Sequence, residues 1–86
     1  MTHGEPREPT VRHHVARDTL GLVISWLDDR WLDESRHPAP DEQLIVYLRF
    51  EAERLTRLQQ DLRVSDHDAV EQIIDEYGPL VRALED

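Results

Sequence analysis

An all-α domain of three helices is the fold this sequence predicts, and three observations carry the prediction. Apolar residues recur at spacings of three and four through three long stretches, which is the period of one helix face. Breaks rich in proline and turn-forming residues separate those stretches. The chain has 86 residues and no cysteine, so it makes one small domain whose core rests on packing, without a disulfide or thiolate metal site.

Residues 1–9 hold Gly4, Pro6 and Pro9 among scattered charges and read as a disordered tail, leaving 10–86 as the single helical domain. The first helix is expected to start near Thr10, a hydroxyl N-cap just before the first periodic apolar residue. Two rows follow at helical spacing: Val11, Val15, Leu22 and Trp26 in one, Ala16, Leu20, Val23, Leu27 and Trp31 in the other. Between Leu20 and Leu27 only Gly21 and Ser25 interrupt the apolar surface. This segment is therefore expected at the centre of the core or in a second interface. A buried strand over 20–24 is the rival assignment, and the unbroken period on both sides argues against it.

Pro38 and Pro40 end that helix within Ser35–Pro40, because proline removes a donor and restricts the residue before it. Pro40 suits the first turn of the second helix, with Asp41 and Glu42 favourable against the positive end of the helix dipole. That helix is expected to run to about Arg63. Leu44, Leu48, Leu55, Leu58 and Leu62 form a heptad seam with Glu51 at the skipped position. Ile45, Val46, Tyr47 and Phe50 widen the apolar surface at its start. Arg49, Glu53, Arg57 and Asp61 make a ladder of alternating charge on the solvent side.

Little more than Val64 separates this helix from the third, where Ser65 and Asp68 have the spacing of a capping box. Val70, Ile73, Ile74, Tyr77, Val81 and Leu84 keep one phase to the end. Gly78-Pro79 is expected to kink this helix, which continues along the same groove. The short second connection sets helices two and three antiparallel, giving an up-down-up three-helix bundle. Homodimer packing is one use for its surplus apolar surface.

The residues offer little chemistry. None of Ser25, Ser35 and Ser65 stands in a nucleophile turn, and the three glycines are too scattered to cradle a phosphate. All ten basic residues are arginine, so lysine chemistry is excluded, and this usage fits a GC-rich bacterial genome. His14 with Asp18 and His67 with Glu71 have metal-sharing spacing on a helix. Glu51 on the seam is a candidate inward carboxylate. A carboxylate di-iron bundle needs Glu-x-x-His pairs from four helices, and this chain contains none. No catalytic residue, cofactor or metal ligand is therefore assigned.

The net charge of −9 argues against direct nucleic-acid binding and against anionic membrane surfaces. The opening residues have neither the basic start nor the apolar stretch of a signal peptide, and no run approaches the ~20 apolar residues of a membrane span. The expected compartment is the cytoplasm. Acidic residues gather at Asp28, Asp29, Asp33, Glu34, Asp41 and Glu42, and again over 66–76, where Asp66, Asp68, Glu71, Asp75 and Glu76 stand with no basic residue.

The fragment His37-Pro38 followed by Asp41, Leu44-Ile45 and Tyr47 resembles the recognition segment of the DNase-colicin immunity proteins, a family likewise small, acidic and helical. The spacing differs, the second tyrosine and its following proline are missing, and a long helix stands where that family has a short one. No residue role is carried over.

Three classes of function survive. The first is a non-catalytic interaction or regulatory module that docks on a protein partner or on itself, with Trp26, Trp31, Tyr47 and Phe50 as apolar anchors. The second is an acidic inhibitor of antitoxin, immunity or anti-defence type that masks a basic nucleic-acid site, with Asp68, Glu71, Asp75 and Glu76 as its contact face. The third is a small metal-binding or enzyme-accessory protein.

Overall fold

The computed structural model describes residues 8–85. Helix α1 spans Glu8–Ser35, α2 spans Glu42–Asp61 and α3 spans His67–Glu85. There is no strand among the described residues, and 20–24 lies in the middle of α1. The helix begins at Glu8 rather than near Thr10. Pro9 sits in its first turn, where a missing N–H has no helical acceptor to forfeit. The last two residues of the expected tail are thus helical, and its first seven lie outside the described residues.

The connections are closed by side chains that the sequence pattern placed slightly differently. Asp41, not Pro40, opens α2. Its carboxylate accepts from the Leu44 N–H at 3.1 Å, and Glu34 at the end of α1 accepts from the Asp41 N–H at 2.9 Å. Pro40 stays outside the helix. At the far end α2 stops at Asp61, short of Arg63, with Leu62 as C-cap. The Leu62 carbonyl accepts from His13 Nε2 of α1 at 2.9 Å. In the second connection Asp66, rather than Ser65, stands directly before α3. Its carboxylate accepts from the Arg63 N–H at 2.9 Å, and its carbonyl receives the Val70 N–H at 2.9 Å.

One buried cluster joins the helices. Ala16, Leu20, Val23 and Leu27 come from α1, Leu48, Ala52 and Leu55 from α2, and Val70, Ile73 and Val81 from α3, with Leu62 closing one end. Leu20 and Leu55 are the largest side chains wholly withdrawn from solvent. The second apolar row of α1 is therefore the core row, whereas Val11, Val15 and Leu22 of the first row remain exposed. On α2 the heptad seam holds, with Ala52 buried beside the skipped position and Glu51 turned to Arg54 at 2.8 Å.

α1 packs against both other helices, whereas no Cα of α2 comes within 8 Å of a Cα of α3. Across that wider gap Arg54 donates to the Tyr77 hydroxyl at 3.3 Å. A helix held from two sides needs apolar residues around more of its circumference than one held from a single side. This accounts for the nearly continuous apolar segment from Leu20 to Leu27. Gly21 serves the α1–α2 contact directly. Without a Cβ there, Gln59 reaches the Arg17 carbonyl at 2.8 Å; a Cβ would stand 3.3 Å from its amide nitrogen.

α3 runs through Gly78-Pro79 without ending. Asp75 and Pro79 are both exposed, so the carbonyl left without a donor lies where water hydrates it. No helix among the described residues is long and apolar enough to cross a membrane.

Candidate interaction surface

The four aromatic anchors expected from sequence do not form one patch. Trp26 and Trp31 are half-buried against the core, and each carries an arginine over its ring: Arg30 at 5.3 Å from Trp26 and Arg49 at 5.0 Å from Trp31. The Trp31 indole N–H donates to Asp28 at 3.1 Å. Trp31 lines a groove of about 380 Å³ between α1 and α2, whereas Trp26 lies with Val81 and Leu84 beside α3. The two tryptophans thus serve different helix contacts.

Tyr47 and Phe50 behave differently. Together with Val46 they project from the outer face of α2 and are 59%, 62% and 67% exposed. At 100° per residue the three side chains fall within an arc of about 100°, opposite the buried line of Leu48, Ala52 and Leu55. Val46, expected with Tyr47 and Phe50 to widen the apolar surface at the start of α2, joins the two aromatics on this face. Its phase relative to the leucine seam was the available signal.

A second apolar row, Val11, Val15 and Leu22, is exposed along α1. Asp18 stands between Val15 and Leu22 on that side of the helix, and Ser25 and Asp29 follow, so this row is interrupted and then closed by polar groups.

The acidic face lies on α3. Asp68, Glu71 and Asp75 fall within an arc of about 60°, Glu76 lies about 80° outside it, and all four are exposed. Glu71 is engaged within the molecule. Arg12 of α1 donates to both its carboxylate oxygens, through Nε at 2.8 Å and through Nη2. This guanidinium holds the Glu71 carboxyl below its ordinary value. Glu51 is likewise lowered, first by its hydrogen bond from Arg54. Asp68, Asp75 and Glu76 make up the remainder of the expected contact face.

No group of three His, Asp or Glu side chains converges on one point among the described residues. The His67–Glu71 pair gives its carboxylate to Arg12. No buried side-chain polar atom among the described residues lacks a partner, so none points at a missing ligand. The groove beside Trp31 is open and carries charges of both signs, with Arg49 and Arg57 standing beside Asp28 and Glu53. No family model matches this chain, and neither does any curated protein or solved structure.

Proposed function

We propose that this chain is a small, non-catalytic protein–protein interaction or regulatory module, and that it acts through the outer face of α2. The observation that carries the reading is the Val46, Tyr47 and Phe50 cluster: three large apolar side chains, each well over half exposed, with no part in the core. Exposed apolar residues scattered singly need no explanation, whereas a contiguous aromatic cluster marks a contact surface. Burial of these side chains in the free chain would require turning α2 and exposing its leucine seam. Their exposure is therefore built into the fold.

The finer architecture belongs to the same reading. We place the helices up-down-up. Asp41 bonds Glu34 at one end of α1, and Leu62 and Gln59 bond His13 and Arg17 towards the other. Arg12 then meets Glu71 in the first turns of α3. Pro79 within α3 supports a bend at that point.

The acidic-inhibitor reading stands second, favoured by the exposed Asp68, Asp75 and Glu76 on a helix with Arg82 as its one basic residue among those described. A photoreactive phenylalanine analogue at position 47, compared with one at position 75, separates the two in cells. The interaction reading expects a discrete protein adduct from position 47, whose mass tells self from another protein. Adducts from position 75 alone would transfer the function to the acidic face, and no discrete adduct from either would overturn both.

A further inference from the structure

We propose that α3 exchanges between two copies of this chain. The connection between α2 and α3 straightens into helix, and α3 of each copy takes the place of α3 against α1 of the other. This goes beyond the interaction reading and leaves the outer face of α2 uncovered.

The two connections differ in what holds them bent. The first, 36–41, contains Pro38 and Pro40, each preceded by a residue with a Cβ, so it stays non-helical. The second, 62–66, reads Leu-Arg-Val-Ser-Asp, with no glycine, no proline and no residue of positive φ. Local hydrogen bonds alone close it. The Asp66 N–H donates to the Arg63 carbonyl at 3.0 Å, and the Asp66 carboxylate accepts from the Arg63 N–H at 2.9 Å. Helical bonding already reaches in from both sides. The Leu62 N–H donates to the Leu58 carbonyl at 3.0 Å, and the Val70 N–H to the Asp66 carbonyl at 2.9 Å.

The apolar seam is the second observation. Leu48, Leu55 and Leu62 stand seven residues apart; the next step of seven is Ala69, packed against the core, and four further on is the buried Ile73. A turn sets no phase between the helices it joins, so a hairpin does not need this register. One continuous helix does. Straightened, α2 and α3 carry a single stripe, half of it on the chain's own α1 and half on α1 of the second copy. Val70, Ile73 and Val81 then enter the core of the other copy, Glu71 meets its Arg12 and Tyr77 its Arg54. Every contact of α3 is thus remade, and none of them sets acid against acid. New neighbours arise only at the two connections. There Arg63 stays one helical turn from Asp66, and Asp68 lies about 160° round the helix from it. No Cα of α2 lies within 8 Å of a Cα of α3, so backbone packing does not hold the hairpin shut.

The experiment refolds the full chain from denaturant at about 5 µM to about 1 mM and measures its mass by sedimentation equilibrium. Refolding at the higher concentrations should give a dimer. Val64→Pro should hold the chain monomeric and folded, because proline suits the first central position of the Arg63–Asp66 turn and breaks a helix running through it. Native mass spectrometry of two variants refolded together then reads the exchange itself. Arg12→Glu in one chain and Glu71→Arg in the other set like charges together in each monomer and homodimer. Only an exchanged heterodimer has opposite charges at both contacts, so the homodimers should fall at least about tenfold below their statistical share. One chain carrying both replacements keeps the pair in either arrangement and should dimerise as the wild type does. A wild-type chain that stays monomeric throughout overturns the proposal, and so does a dimer that survives Val64→Pro. Homodimers at their statistical share mean that α3 stays on its own α1, which overturns it as well.

Discussion

Arg12 and Glu71 are 59 residues apart in the chain and tie the first turns of α1 and α3 together. Because the arginine holds the Glu71 carboxyl below its ordinary value, the ionised form is favoured in the folded state. The stability this contributes is fully present above the unfolded value of about 4.3 and is lost as pH falls through the lowered folded value. Glu71→Gln should therefore lower the melting temperature by about 1–2 °C at pH 6 and by progressively less as the pH falls below about 4. Thermal melts followed by circular dichroism check this. An effect that does not change with pH would mean that the substitution acts through something other than the charge. No spacing rule reveals such a pair, since it forms between helices. Sequence showed Glu71 as one of five acids on a helix segment without a base, and only the fold supplies Arg12. The placement of the tryptophans was hidden for a related reason. Large aromatics mark anchors by type, but Trp26 and Trp31 lie at the margins of two helix contacts with their own arginines over them. The exposure of Tyr47 and Phe50 follows from their phase, since both lie off the leucine seam.

At the scale of the element, existence and phase were readable, and boundaries were set by local hydrogen bonds that periodicity does not encode. The α2 seam places Leu48 and Leu55 in the core as its heptad requires. The start of α2 shifts past Pro40 because Asp41 is the better cap, and the turn before α3 is closed by the Asp66 carboxylate on the Arg63 N–H. Gly78-Pro79 is the instructive case. Both residues count against a helix when taken separately, yet α3 continues through them. A residue before proline is pushed out of helical geometry partly by its Cβ against the proline ring, and glycine has no Cβ. Gly78 therefore makes Pro79 tolerable, and the two substitutions are coupled. Pro79→Ala should stabilise the chain by about 1–3 kcal/mol by restoring a donor to Asp75. Gly78→Ala meets no neighbour closer than Arg82 at 3.7 Å, so only its backbone effect counts. It should be neutral or destabilising alone, yet add about 0.5–1 kcal/mol once Pro79 is replaced. Denaturant unfolding of the four chains measures this; strictly additive effects would rule out the coupling.

For the whole molecule, the decisive fact is that α1 is the shared partner of two helices whose backbones stay apart. The apolar girdle on α1 was legible as either a central position or a second interface, and sequence had no means of choosing between them. The separation of α2 from α3 was not legible at all, because a short connection fixes the direction of a helix but not its distance from the preceding one. This arrangement has an energetic consequence. α2 rests on α1 through the leucine seam and the Gln59 and His13 bonds, and most of that contact does not involve α3. α3 is held by Val70, Ile73 and Val81 against the core, by Arg12–Glu71 and by Arg54–Tyr77. It should open as a unit, at lower free energy than the α1–α2 pair. Native-state hydrogen exchange would then show α3 amides with one common opening free energy below that of the slowest amides in α1 and α2. Ile73→Ala, a buried side chain on α3, should lower protection in α3 by about 2–5 kcal/mol and leave the difference between folded and unfolded α1–α2 largely intact. Leu20→Ala, wholly buried on the shared helix, should lower protection in all three by a similar amount. If the slowest amides of all three helices exchange at one free energy, and both substitutions shift them together, the chain unfolds as a single unit and the central position of α1 carries no such hierarchy.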